Sequence, residues 1–273
     1  MVVLKSVDEL LNFRASLNGS VGFVPTMGAL HDGHMSLIKR AVSENENVIV
    51  SVFVNPTQFL PGEDLAKYPR REEADIKICE LCGAAAIFMP EANELYFDDE
   101  PLVVAPARLA SILEGKTRPG HFDGVLRVLT KLFNLVKPNN VYMGKKDAQQ
   151  LIIVQNMVKT MFIPLNIVPC EIIRESDGLA LSSRNAYLSE EEKCNALRIS
   201  RSLFNASNLI KSGELDTKKI KEKMLGTLEP LQVNYVAVVD RNFKELSAVE
   251  LGNTIILVAA YVGKTRLIDN LWV

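Results

Sequence analysis

The chain has 273 residues, 48% apolar and 23% charged, which is close to the average for soluble globular proteins and excludes collagen-like, coiled-coil and wholly disordered readings. That length fits one large domain or two unequal ones. Thirty-one basic against 33 acidic side chains give a net charge of −2 with no dominant basic block, so no nucleic-acid partner is expected. The opening MVVLKSVDEL lacks the apolar segment of a secretory leader, and the longest strongly apolar run, Ile255 to Val262, is too short to span a bilayer. The expectation is a cytoplasmic protein with no membrane association.

Two hydrophobic periods alternate along the first part of the chain. Ser6 with Glu9 reads as a capping box opening a helix to about Leu17, and Val21 to Pro25 reads as a strand. A helix follows over Met35 to Asn45, then a strongly apolar strand over Asn47 to Asn55. Next come a helix over Arg70 to Leu81, a strand over Ala84 to Met89, and a helix over Phe122 to Val136. A strand at Val141 to Met143, a helix from Asp147 to Met161 and a strand over Ile167 to Ile173 complete this part. Such alternation predicts an α/β fold with a parallel sheet, right-handed crossovers and helices on both faces, with ligands beyond the carboxyl ends of the strands. After about Ser176 the texture changes. Helices over Glu190 to Ser212 and Thr217 to Leu228 precede strands at Asn234 to Val239, Thr254 to Tyr261 and Thr265 to Ile268, the pattern of a smaller α+β domain. The division is placed at 1–175 and 176–273.

The four cysteines do not form a disulfide framework, and Cys79 and Cys82 read as buried thiols on a helix rather than as a zinc or redox pair.

Four segments hold polar residues that a fold alone does not require, each placed after a predicted strand. In PTMGALHDGHMSL, glycines allow close backbone approach, and His31 and His34 open a helix whose free N–H groups suit phosphate. A plain helix cap is the alternative. In VNPTQFLPGEDLAKYPR, the amides of Asn55 and Gln58 can donate to and accept from hydroxyl or carboxylate groups, ahead of a mobile-looking PGED loop. In EGKTRPGHFDGV and the following GKKDAQQL, Lys116, Arg118, Lys145 and Lys146 lie among glycines, a setting for phosphate contact. There Asp147 caps a helix or accepts from a ribose hydroxyl, and Gln150 points back toward the strand ends. In DGLALSSRNAYLS, paired serines and Arg184 sit on a loop at the predicted domain seam.

Together the motifs PTMGALHDGH, FVNPTQF with the later YPR, EGKTRPGHFDGV, GKKDAQQL and DGLALSSRN, in this order, resemble those of the pantothenate synthetase family, also called pantoate–β-alanine ligase. The HxGH element is also similar to the signature of the wider nucleotidyltransferase superfamily. The resemblance implies a Rossmann-type N-terminal domain, a smaller C-terminal lid domain and a homodimer. It implies that ATP and pantoate give pantoyl adenylate and pyrophosphate with Mg2+, after which β-alanine displaces AMP to form pantothenate. Carried onto this chain, it implies that Met27 to His34, including Gly28, line the ATP site, with His34 assisting departure of pyrophosphate beside His31. Gly144, Lys145, Lys146 and Asp147, Ile173, and Leu181, Ser182, Ser183 and Arg184 complete the nucleotide site. Gln58 and Gln150 bind pantoate, Glu114 and Arg118 lie near the site, and Asp75 is the nearest match to a metal ligand. Ala74 stands where a second aspartate is frequent, Leu60 where glycine is usual, Lys145 where glutamate is frequent and Leu181 where methionine is.

Overall fold

A computed structural model describes residues 1–273, the side chain of Asp64 excepted. Along the chain the elements are β1 (Val2–Leu4), α1 (Val7–Ser16), β2 (Val21–Thr26), α2 (Asp32–Glu44), β3 (Asn47–Val52), α3 (Glu72–Leu81) and β4 (Ala86–Phe88). Three short helices follow, α4 (Ala92–Leu95), α5 (Ala107–Ala110) and α6 (Leu113–Thr117), then α7 (His121–Val136), β5 (Asn140–Gly144), α8 (Ala148–Thr160) and β6 (Asn166–Cys170). The last part comprises α9 (Glu190–Lys211), α10 (Thr217–Leu228), β7 (Gln232–Asp240), β8 (Thr254–Val262) and β9 (Thr265–Trp272).

The chain forms two compact units, Met1–Lys145 with Gln149–Glu171, and Lys146–Ala148 with Ile172–Val273. The first is built on a sheet of six strands in the order β1-β4-β3-β2-β5-β6, every pair parallel. From β2 the chain winds outward through β3 and β4, then returns to place β5 on the other side of β2, so the winding reverses between β2 and β5. A crevice opens at such a switch point beyond the strand carboxyl ends. Alternating side chains serve both faces. Val24, Val48, Val50 and Ile87 pack with Leu37, Ile38 and Ala41 of α2 and with Cys79 of α3. On the other face Phe23 meets Phe133 of α7 edge-on, ring centroids 6.4 Å apart. Each such side chain, fully buried, contributes roughly 1.5–3 kcal/mol. Cys79 and Cys82 are free and buried, and burial pushes the Cys79 thiol up to about 12, which makes it a core group rather than a nucleophile.

The second unit is a small α+β body. β7, β8 and β9 form an antiparallel sheet in that order, covered by α9 and α10 through Ile199, Leu203, Ile220 and Met224 against Val238, Ile256 and Val258. Arg174 bridges both oxygens of the buried Asp269 on β9, at 2.6 and 3.0 Å. This is the expected fold class: a Rossmann-type parallel sheet with a smaller α+β part.

Several elements differ from the sequence reading. The three-residue β1 and the short helices α4, α5 and α6 carry too few residues for a period to register. β3 stops at Val52, so Asn55 lies beyond the strand and caps a 3-10 turn over Pro56–Gln58. Glu114 and Lys116 fall inside α6, which follows α5 and not a strand.

Candidate functional site

The turn after β2 is held by its own backbone and by α3. Gly28 and Ala29 both adopt positive φ, 84° and 50°, a conformation that glycine accepts readily. A Cβ on Gly28 would come within 2.9 Å of both Asp75 Oδ2 and Val52 Cγ1, so close packing and the backbone angle both call for glycine. The Asp75 carboxylate accepts the N–H of Ala29 at 3.0 Å and of Leu30 at 2.8 Å. Burial raises its pKa above the ordinary aspartate value, although those two N–H groups oppose the rise.

The same geometry bears on Asp75 as the expected metal ligand. Asp75 is 1% exposed, both of its oxygens are engaged by backbone, and the neighbouring Ala74 offers no ligand. Among the described residues, no group of three His, Cys, Asp or Glu side chains is placed to hold a metal ion. The carboxylate fits a turn anchor and does not fit an Mg2+ ligand.

The turn delivers the chain into α2 with two histidines locked together. Gly33 N–H donates to His31 Nδ1 at 3.1 Å, and His31 N–H donates to His34 Nδ1 at 3.3 Å, a capping box built from imidazoles. The rings lie 4.1 Å apart, centroid to centroid. Since a backbone N–H only donates, Nδ1 is the acceptor in each ring and the proton of the neutral imidazole sits on Nε2. Helix cap and polar cluster are therefore the same residues, and α2 begins three residues before Met35, where apolar periodicity placed it.

Beyond β3, Gln58 is 8% exposed. Its Nε2 donates to Met27 Sδ at 3.0 Å, joining it to the turn after β2, and its Oε1 accepts from Asn55 Nδ2 at 2.9 Å. Asn55, expected to touch substrate, is 1% exposed and its amide is engaged within the protein: Nδ2 also donates to Gly124 O at 3.1 Å, while Oδ1 accepts from Tyr96 OH at 2.6 Å and Thr57 Oγ1 at 2.9 Å. The structure therefore ties Asn55 to Gln58, Tyr96, Thr57 and Gly124.

Arg118 is likewise engaged. Its Nε and Nη2 donate to the two Glu63 oxygens at 2.6 and 2.8 Å, a bidentate pair. Burial alone would raise the Glu63 carboxyl, but hydrogen bonds from Arg118 and Leu60 N–H outweigh it and hold the group below the usual carboxylate range. Arg118 Nη1 also donates to His121 Nε2 at 3.0 Å, and His121 Nδ1 donates to the Gln58 carbonyl at 2.8 Å. His121, Glu63 and Tyr96 were not singled out from sequence, although GHF lies within a motif quoted for the family and PGED within the segment read as a loop before YPR. Gln149 was also missed. It is buried, donates to the carbonyls of Leu109 and Ile112, and accepts from Glu114 N–H, fixing the start of α6.

Gln150, half-buried on the first turn of α8, makes no hydrogen bond to the described residues through its amide. At the end of β5, Gly144 leads to Lys145, which pairs with Glu171. In the second unit Lys146 lies 3.6 Å from Asp147, which is largely exposed, and Asn270 Nδ2 donates to the Lys146 carbonyl at 2.8 Å. Leu181 N–H donates to Ile173 O at 3.0 Å, and Ser182 Oγ caps the turn carrying Ser183 and Arg184 by accepting Arg184 N–H at 3.3 Å. Within the first unit the structure thus brings together Met27, Gly28, His31, His34, Asn55, Gln58, Asp75 and Arg118; Ile173, Leu181, Ser182, Ser183 and Arg184 form a separate cluster in the second.

The family model described as pantoate-beta-alanine ligase matches residues 2–272. A pantothenate synthetase of Campylobacter curvus (strain 525.92) is 74% identical over 273 residues and 100% of each chain. The crystal structure of pantothenate synthetase from Thermus thermophilus shares 40% identity at a TM-score of 0.93, over 99% of each chain. A pantoate-beta-alanine ligase from Francisella tularensis, crystallised with beta-gamma ATP and beta-alanine, shares 38% identity at a TM-score of 0.83, over 100% of this chain and 97% of that one. With the motifs in order and the match running from end to end, the chain is an enzyme of the pantoate–β-alanine ligase family.

Proposed function

We propose that this enzyme ligates pantoate to β-alanine in two steps, using ATP delivered as its magnesium complex. In the first step a pantoate carboxylate oxygen attacks the α-phosphorus, a P–O bond forms, and the bond to pyrophosphate breaks, leaving pantoyl adenylate. In the second the neutral amine of β-alanine attacks the activated carbonyl, AMP leaves, and the amine loses a proton as pantothenate forms. Charge accumulates on the entering oxygen and on the pyrophosphate, so alignment and preorganised donors carry most of the rate.

The observation that carries this reading is the reciprocal His31–His34 cap at the switch point of the sheet. With Nδ1 of each ring accepting a backbone N–H, the tautomer that presents Nε2–H is fixed before substrate arrives. His34 supports the departing pyrophosphate, with His31 beside it and the positive end of α2 behind both. The Gln58 NH2 and the Gln150 amide hold pantoate, and Gln58 also borders β-alanine. Arg118, paired with Glu63 and bonded to the Gln58 carbonyl, acts by holding the Gln58 turn in place. The assignment of ATP contacts to Gly144, Lys145, Lys146, Asp147, Ile173, Leu181, Ser182, Ser183 and Arg184, with Lys146 catalytic, rests on the family resemblance, as do the homodimer and the cytoplasmic location.

Pantoate-dependent exchange of pyrophosphate into ATP, run without β-alanine, isolates the first step. His34→Ala should lower it about 10²–10³-fold, the scale for removing one oriented donor, with an unchanged circular dichroism spectrum. Exchange at the wild-type rate in that variant, or exchange that needs β-alanine, would overturn the reading.

A further inference from the structure

The Gln58 amide has two faces of opposite polarity, and which one is presented matters, because a carboxylate only accepts hydrogen bonds. Two backbone groups settle the direction. Thr57 N–H, which only donates, lies 3.3 Å from Asn55 Oδ1, and Gly124 O, which only accepts, lies 3.1 Å from Asn55 Nδ2. Asn55 must therefore turn its NH2 toward Gln58, and Gln58 Oε1 receives it at 2.9 Å. That leaves Gln58 Nε2 aimed at Met27 in the turn after β2. The shortest bond in this set is the one from Tyr96 OH to Asn55 Oδ1, at 2.6 Å. The Tyr96 ring is itself fixed: the Arg127 guanidinium lies 4.8 Å from its centroid and the Lys131 ammonium 5.5 Å, and both cations pair with Glu100 at 2.6 and 2.7 Å.

We propose that Tyr96 is a positioning residue for the ligation: through Asn55 it holds the Gln58 amide with its NH2 toward pantoate, so that the pocket offers a donor and not an acceptor to the hydroxy acid. The inference rests on the assignment of Gln58 to pantoate. Without the phenol proton, Asn55 keeps only the longer bonds from Thr57 on that side, and the amide pair can rotate or flip. A flipped Gln58 would set its carbonyl against the carboxylate.

Tyr96→Phe keeps the ring and removes only the hydroxyl. It should raise the KM for pantoate roughly 3- to 10-fold, the scale of one neutral hydrogen bond, while kcat, the KM for ATP and the thermal midpoint stay near wild type. In a Gln58→Ala background the same substitution should add nothing to the pantoate KM, because the group it orients is gone. Asn55→Asp, which cannot donate to Gln58 Oε1 and so drives the flip, should weaken pantoate more than Asn55→Ala does. A Tyr96→Phe enzyme with unchanged pantoate KM, or one whose pantoate and ATP KM values both rise as its midpoint falls, would overturn the relay while leaving Gln58 assigned. If Gln58→Ala alone left the pantoate KM unchanged, the assignment would fail and the relay with it.

Discussion

At the scale of single residues, Asp75 shows how a buried charge can serve shape. Two backbone N–H groups in the left-handed turn after β2 have no sheet partner, and one carboxylate from α3 satisfies both. Asp75→Asn preserves volume but replaces one acceptor with an NH2, which would face a backbone N–H. The expected cost is about 1–3 kcal/mol, read as a lower urea midpoint, together with weaker ATP binding because the turn loosens. A variant as stable as wild type would show that the turn does not need this anchor. The family resemblance pointed to Asp75 through its place in the acidic stretch after YPR. It could not show that the side chain points inward, since that depends on a partner turn some forty-five residues earlier in the chain. Tyr96 was hidden for the same reason: no motif marks a tyrosine whose importance lies in a bond to Asn55.

At the scale of elements, α2 begins with histidines doing what serine, threonine, asparagine or aspartate ordinarily do. This is why apolar periodicity puts the helix start three residues late, although PTMGALHDGH marks the residues that matter there. Structural and chemical roles of His31 can be separated by substitution. His31→Asn retains a capping side chain and should keep the stability of wild type while losing activity, whereas His31→Ala should lose activity and about 1 kcal/mol of stability as well. Equal thermal midpoints for the two variants would show that the imidazole cap contributes nothing to the helix. The strands and long helices were legible because their apolar periods run for many residues. Glu114 and Lys116 look like loop residues after a strand because α6 spans only Leu113–Thr117, too short for a period to show.

At the scale of the whole molecule, the acidic residues respond to pH in opposite directions. The Lys131 and Arg127 partners of Glu100, helped by Phe97 N–H, overcome the effect of burial and lower its carboxyl to about 2. A carboxylate lowered on folding stabilises the native state at pH values above its unfolded pKa, near 4.5, and that contribution is lost as the pH falls toward 2. The Glu63 carboxyl, also lowered, acts in the same sense, whereas Asp75, raised by burial, is relieved by acid. Glu100→Gln should therefore destabilise the protein at pH 7, with the gap to wild type closing progressively below about pH 4.5. Urea titrations across that range would check it, and a gap independent of pH would assign the loss to packing. The parallel order of the first sheet and the antiparallel second one followed from the change in texture along the chain, because the sequence order of helices and strands constrains topology strongly. The polarity of the amide pair did not follow, because it depends on the contact of α7 with the chain beyond β3.

That contact is made where Gly124 on α7 meets the peptide of Thr57, so closely that an added methyl would come within 2.2 Å of the Thr57 carbonyl oxygen. On the proposed assignment of Gln58 to pantoate, the helix acts as a backstop that limits how far the recess for the hydroxy acid can extend. Resizing that recess for a bulkier or slimmer acid would then depend on the spacing between two stretches of main chain as much as on trimming the side chains that line it.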